Sequence, residues 1–554
     1  MVSPKASKEG GTAMQSTMQD FPLTVAHILR HGESVYPYSE VITYEGENPE
    51  RRASFREVAL RSRKLAKALA SIGVKPGDRV ATFAWNHQEH QEAYLAVPSM
   101  GAVLHTLNIR LFAEQLAYVI QHAEDSLILV DASLAPLLAR VKDSLGSVRH
   151  LISIGEGDTS MLGECISYEE LLDSVDDDFE WPELEERSGA AMCYTSGTTG
   201  DPKGVVYSHR SIFLHSFAAV SSAGFRPSFN ELDRLLLVVP MFHANAWGLP
   251  YAAWMVGGDM VMPKQYLQSE HLARQFSQFE VTGASGVPTI WNDLVRYAEE
   301  HDLRFPALRM LVCGGSAVSQ ALMERCDRVL GVPIIQAWGM TETSPLGTVA
   351  VPPRNATPDQ EMHYRTMAGR VQPGVEIRIC DPEGNVLPND GESIGEIEIR
   401  GPWITGSYYK NPDPEKFHDG WLRTGDVGTL DEQGFMRITD RTKDVIKSGG
   451  EWVSSVDLEN AIMGNPEVLE ASVIAIPHEK WEERPLACVV RKPGSTLTGK
   501  ELIDWLEPRV AKWWLPEQVA FVDEIPKTSV GKFDKKVLRA KFAKGELEVE
   551  KVRD

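Results

Sequence analysis

Residues 194–209 read Tyr-Thr-Ser-Gly-Thr-Thr-Gly-Asp-Pro-Lys-Gly-Val-Val-Tyr-Ser-His. Thr195, Ser196, Thr198 and Thr199 supply hydroxyl donors. Gly197, Gly200 and Gly204 let backbone come close to a ligand, and Lys203 adds a mobile positive charge. Such a set is equipped to hold phosphate oxygens. Gly-x-x-x-x-Gly-Lys-Ser/Thr cannot be laid over it, so this is no Walker loop. The apolar residues 190–194 before it and Val205 and Val206 after it place the loop at the end of a buried strand.

Three further stretches carry chemistry. Residues 336–345, Gln-Ala-Trp-Gly-Met-Thr-Glu-Thr-Ser-Pro, follow an apolar strand; an indole face suits a purine, and a carboxylate beside phosphate suits a hard cation. Residues 421–426, Trp-Leu-Arg-Thr-Gly-Asp, end on a Thr-Gly-Asp that alone is a common turn; its value is its order in the chain. Residues 526–533, Pro-Lys-Thr-Ser-Val-Gly-Lys-Phe, offer a lysine after a glycine turn. A decoy lies at 494–501, Gly-Ser-Thr-Leu-Thr-Gly-Lys-Glu: Glu501 cannot replace the hydroxyl that binds Mg²⁺ in a Walker loop, whereas Thr498 with Glu501 makes a helix capping box.

In this order and spacing the motifs resemble those of the adenylate-forming superfamily, which includes acyl-CoA synthetases, luciferases and peptide-synthetase adenylation domains. The resemblance spans about residues 41–540. It implies ATP, Mg²⁺ and coenzyme A as cofactors. Residues Thr195, Ser196, Gly197, Thr198, Thr199, Gly200 and Lys203 would clamp the β- and γ-phosphates. Trp338, beside Gly339, would stack on adenine, where many relatives have Tyr; Thr341 would bond the α-phosphate and Glu342 hold the metal. Asp426 and Arg441 would take the ribose, and Lys532 would contact the carboxylate oxygen and α-phosphate during adenylation. Lys443 matches the pivot of a swinging C-terminal domain, and Lys447 and Gly449 the pantetheine channel, although a solvated lysine accounts equally for Lys447. Gly315 and Ser316 match a loop between adenine and acyl sites, for which a plain strand-end turn serves as well.

Residues 241–247, Met-Phe-His-Ala-Asn-Ala-Trp, bear on the acid. An amino-acid-activating domain would carry aspartate where His243 stands, so an ammonium substrate would lack its partner. The segment is similar to bacterial medium- and long-chain fatty acyl-CoA synthetases, which implies His243 beside the carboxylate and Trp247 as gate of an acyl tunnel; a core indole is the plain alternative. The expected activity is an ATP-dependent acid:CoA ligase for medium- or long-chain fatty acids, with a short acid such as a methylthioalkanoate, or delivery to a carrier protein, as alternatives.

These residues need a scaffold. At 554 residues the chain exceeds one core. Ser54 with Glu57 predicts a capping box, and Val58, Ser62, Leu65, Leu69 and Ile72 mark one helical face up to Gly73. Alternation of short apolar runs with helical stretches predicts an α/β fold of helix-covered, mainly parallel sheets. Around 396–399 and 436–438 antiparallel strands are expected, a β-barrel-like part. The character changes near Arg441, so a disordered leader over 1–20, an ATP- and acid-binding domain over 21–440 and a small mobile α+β domain over 441–554 are expected. In the last, strands at 471–476 and 487–490 are expected to be separated by helices and polar loops.

The formal charge of −22 argues against nucleic acid as a partner. Six scattered cysteines without metal-ligand spacing read as reduced core thiols of a cytoplasmic protein. No apolar run reaches bilayer-spanning length. Transient membrane-surface contact and a homodimer complete the expected associations.

Overall fold

The computed structural model describes residues 14, 16–195, 201–221, 228–441, 444, 446–448, 451–527 and 533–553; for 441, 447, 451 and 452 the description covers backbone only. The expected leader therefore falls largely outside the described residues.

Ser54 caps the helix Phe55–Ser71: its hydroxyl accepts from the Glu57 amide while the Glu57 side chain returns to the Ser54 amide. Val58, Ser62, Leu65 and Leu69 are fully buried, so the helical stripe is the core face. Phe55 stacks on Trp254 with ring centroids 3.9 Å apart, and the Trp254 indole donates to the Leu29 carbonyl at 3.1 Å. A polar tip satisfied in this way lets a large indole be fully buried.

Two sheets form the N-terminal part. One is seven-stranded, parallel apart from the hairpin that pairs Gly189–Tyr194 with Gly204–Ser208. The other runs in parallel through Gly283–Gly286, Met310–Cys313 and Ile334–Trp338. It then turns antiparallel through Thr348–Val349, Gly369–Val371, Phe435–Arg441, Trp421–Leu430, Gly395–Arg400 and Glu376–Cys380. That antiparallel path is the part expected as barrel-like.

A separate six-stranded sheet with its own apolar cores forms the small C-terminal part. Here one expectation needs correction. The strands predicted at 471–476 and 487–490 are the centres of a single long hairpin, Val468–His478 against Glu482–Arg491, with no helix between them. The polar end of the second strand stays in register because Arg484 is buried and donates to Glu517 Oε1, Ser448 Oγ and the carbonyls of Trp513 and Leu515. A guanidinium paired in this way can occupy a position that hydropathy reads as loop.

Candidate active site

The carboxyl ends of the parallel strands, where α/β sheets place their ligands, open on a cleft of about 780 Å³. Lys203, Trp338, Glu342 and Asp426 line it from the N-terminal part, Asn460 and Lys535 from the C-terminal part.

On the phosphate side, the loop after Gly189–Tyr194 is closed at its base. Thr195 donates its amide to the Lys203 carbonyl at 2.9 Å, and the Lys203 amide donates to Thr195 Oγ1 at 3.0 Å. Ser196, Gly197, Thr198, Thr199 and Gly200 lie outside the described residues. Lys203 Nζ donates to Asp413 Oδ2 at 2.6 Å and sits 4.7 Å from the centre of the Tyr408 ring. The Tyr408 hydroxyl donates to Glu342 Oε1 at 2.6 Å, and the Thr341 carbonyl accepts from the Tyr207 hydroxyl at 2.8 Å. Burial, then the adjacent Glu342 carboxylate, pushes the Tyr408 phenol well above its ordinary range, which keeps it a donor.

These residues fit a divalent cation that arrives with its nucleotide. Tyr408 occupies one oxygen of Glu342 and leaves the other uncommitted among the described residues. No cluster of three or more His, Cys, Asp or Glu suited to a metal occurs among them. One carboxylate completed by phosphate oxygens and water is how Mg²⁺ is commonly held.

The nucleoside side is built on the end of Ile334–Trp338. The Trp338 indole donates to Asp426 Oδ2 at 2.9 Å. Asp426 lies opposite Arg441 in the antiparallel ladder of Trp421–Leu430 and Phe435–Arg441, so register alone brings the two together. Two glycines permit the packing. A Cβ on Gly339 would fall 1.3 Å from the Pro345 carbonyl oxygen, and one on Gly347 would fall 2.6 Å from the Trp338 ring.

On the side expected to take the acid, His243 precedes a turn that sequence reasoning missed. Ala244, Asn245, Ala246 and Trp247 all have positive φ, from 42° to 58°, and Gly248 ends the run at 73°. A left-handed turn of four non-glycine residues costs about 1–2 kcal/mol per residue and must be held from outside. Asn245 Oδ1 accepts from the Cys193 thiol at 3.1 Å; Asn86 binds the preceding segment, donating to the carbonyls of Leu237 and Val239 and accepting from the Met241 amide. The Trp247 ring consequently lies over Gly314, where a Cβ would meet it at 3.1 Å. Gly315, Ser316, His243 and Trp247 all line the cleft. Behind the turn His215 is buried, and burial lowers its pKa to about 4.

The two parts of the chain meet next to the ribose side. Ser455 donates its amide to Asp440 Oδ2 at 2.8 Å and Arg437 donates to Asp457 Oδ1 at 2.9 Å; within the C-terminal part, Lys535 Nζ reaches Glu459 Oε1 at 2.9 Å. Burial works against the Lys535 charge, but Glu459 and Asp440 outweigh it and raise the pKa. Lys447 falls in the strand Ile446–Ser448. Lys443, Gly449 and Lys532 lie outside the described residues, as do the side chains of Arg441 and Lys447. Tyr408 and Asp413 are site residues without a sequence signal: each joins its partner across a wide chain separation.

Residues 30–409 match the AMP-binding enzyme family, and residues 457–532 match the AMP-binding enzyme C-terminal domain. The long-chain-fatty-acid–CoA ligase of Thermus thermophilus is 44% identical over 537 residues, covering 96% of this chain and 97% of the relative. The 3-methylmercaptopropionyl-CoA ligase of Ruegeria lacuscaerulensis is 41% identical over 535 residues, covering 96% and 99%. The medium-chain-fatty-acid–CoA ligase of Ectopseudomonas oleovorans is also 41% identical, covering 96% and 98%. Among solved structures, ATP-bound MatB from Rhodopseudomonas palustris superposes with a TM-score of 0.80 at 26% identity, covering 94% of this chain and 99% of that one. With its cleft at the strand ends and both family segments in order, this chain belongs to the AMP-binding enzyme family.

Proposed function

We propose that the protein is an AMP-forming acid:CoA ligase for medium- or long-chain fatty acids. The observation that carries this reading is the convergence of Lys203, Trp338 with Glu342, and Asp426 on one cleft from three separate segments. Relatives 41–44% identical over nearly the whole chain are named as CoA ligases.

Trp338 stacks on adenine and Asp426 with Arg441 takes the ribose hydroxyls. Lys203 and the loop 195–200 hold the terminal phosphates, and Thr341 bonds the α-phosphate. Glu342 would hold Mg²⁺, which would supply charge neutralisation at the phosphates. An oxygen of the substrate carboxylate, held beside His243, attacks the α-phosphorus. The bond to the bridging oxygen breaks, and pyrophosphate leaves with the electron pair. Lys532 offsets the negative charge brought together in that step. The C-terminal domain, beginning at 441, then turns about Lys443 and presents the channel containing Lys447 and Gly449. The CoA sulfur attacks the acyl carbon, the carbon–oxygen bond to phosphate breaks and AMP leaves, while the thiol proton passes to solvent.

A short acid is the second reading, favoured by the 3-methylmercaptopropionyl-CoA ligase at 41% identity. Cys165, Cys193, Cys313, Cys326, Cys380 and Cys488 are free thiols, and a cytoplasmic setting belongs to the same proposal. Among the described residues no helix is long and apolar enough to cross a membrane. A panel of straight-chain and methylthio acids, assayed for AMP and acyl-CoA with and without CoA, tests the function. Thioester formation peaking on medium or long chains is expected. AMP without thioester in the presence of CoA would reject the ligase reading.

A further inference from the structure

Lys203, read above as a ligand of the terminal phosphates, already has an anion. Asp413 Oδ2 lies 2.6 Å from its ammonium. The carboxylate is held there by a built turn. Asp413 donates its amide to Asn411 Oδ1 at 3.2 Å, and its carbonyl accepts from the Lys416 amide at 3.0 Å. Tyr408 and Asn411 bridge one another, and the Tyr409 amide ties the segment to the Gly204 carbonyl at 2.8 Å, next to Lys203 itself. Lys410 and Asp413 take positive φ, 55° and 38°. The second immediately precedes Pro414, a position where extended backbone is preferred. Such a conformation persists only where its surroundings enforce it.

On its other side the Lys203 ammonium faces the Tyr408 ring at 4.7 Å, and the Tyr408 hydroxyl is committed to Glu342. The lysine is thus poised between a carboxylate and a π face that also fixes the carboxylate read as the metal ligand. A phosphate recruiting Lys203 must compete with Asp413 and bears that residue's negative charge close by.

We infer that Asp413 is a positioning residue that weakens the grip of Lys203 on pyrophosphate and so speeds its release. The carboxylate draws the lysine back as the product leaves. This deepens the proposed function and rests on its assignment of Lys203 to the terminal phosphates. The lysine side chain is 39% exposed and that of Asp413 22%, so screening keeps the effect modest, about three- to fivefold in affinity.

Calorimetric titration of inorganic pyrophosphate and of ATP into wild-type protein, Asp413→Asn, Lys203→Met and the double variant tests it. Asparagine suits the positive φ at 413 at least as well as aspartate, so the variant should fold; an unchanged thermal transition checks this. Asp413→Asn should bind pyrophosphate about three- to fivefold tighter and slow its dissociation in stopped flow by a similar factor. In the Lys203→Met background the gain should fall below about twofold, since the shared partner is gone. Unchanged or weaker pyrophosphate binding in Asp413→Asn, with wild-type binding intact, would overturn this inference alone, and an undiminished gain without Lys203 would overturn it too. Wild-type protein that binds neither ATP nor pyrophosphate would instead remove the phosphate-site reading beneath it.

Discussion

The indole nitrogen of Trp338 donates to Asp426 Oδ2 at 2.9 Å, across 88 residues of chain. The indole proposed to stack on adenine and the carboxylate proposed to take the ribose are thereby fixed to each other before any nucleotide arrives. A tyrosine or phenylalanine at 338 would keep a π face but lose this donor.

Trp338→Phe should therefore separate stacking from positioning. A hydrogen bond to a charged group contributes about 1.5–3 kcal/mol, so KM for ATP should rise at least about tenfold while KM for the acid stays within about twofold. Steady-state kinetics with each substrate varied in turn measures both; an unchanged KM for ATP would detach Trp338 from the role of orienting Asp426.

Gly314→Ala addresses the acid side. The added methyl would meet the Trp247 ring and the Ala337 carbonyl, each at 3.1 Å. The indole has to move, so the preferred acid chain length should shift and KM for the best wild-type acid rise several-fold, with KM for ATP little altered. An unaltered acid profile would show that Trp247 does not border the acyl path.

Lys532→Ala should abolish adenylate formation and leave thiolysis of supplied acyl-adenylate largely intact. The two half-reactions are assayed separately, by pyrophosphate release and by thioester formation. Equal loss of both would count against the role given to Lys532.

A pH test concerns stability. Fully buried His87 lies 3.0 Å from Glu89 Oε2 and 3.4 Å from Asp131 Oδ2. Burial opposes its charge, but Asp131 and Glu89 win and raise its pKa from 6.5 to about 9. A raised folded pKa means that its stabilisation is full below the unfolded value of 6.5 and is lost as pH climbs through 9. The contribution is on the order of 3 kcal/mol. Chemical denaturation at pH 6 and pH 10 should show wild type losing about that much more than His87→Gln does; parallel losses would refute it.

Local signals in the sequence were reliable where chemistry is local. The Ser54–Glu57 and Thr498–Glu501 capping boxes both form, and the latter disposes of the Walker-like decoy. Trp338, Glu342 and Lys203 line one cleft because their motifs sit at strand ends, and Asp426 joins them from within the strand Trp421–Leu430. Residues whose importance comes from a distant partner stayed hidden: Tyr408 meets Glu342 across 66 residues and Asp413 meets Lys203 across 210. The left-handed turn at Ala244–Trp247 escaped notice because alanine and tryptophan do not advertise positive φ. Helix-separated strands were read into the C-terminal part because buried Arg484 gives the second strand a polar end.

The ladder that sets Asp426 opposite Arg441 has a consequence for energy coupling. Arg441 is where the chain passes into the C-terminal part, so on the proposed function the ribose contact and the root of the turning domain would share one rung. If bound nucleotide favours one orientation of that domain by some factor, the orientation must alter nucleotide affinity by the same factor. On the proposed function the rung would act as a clutch: holding ATP would engage the first posture, and parting with AMP and leaving the second posture would become one event.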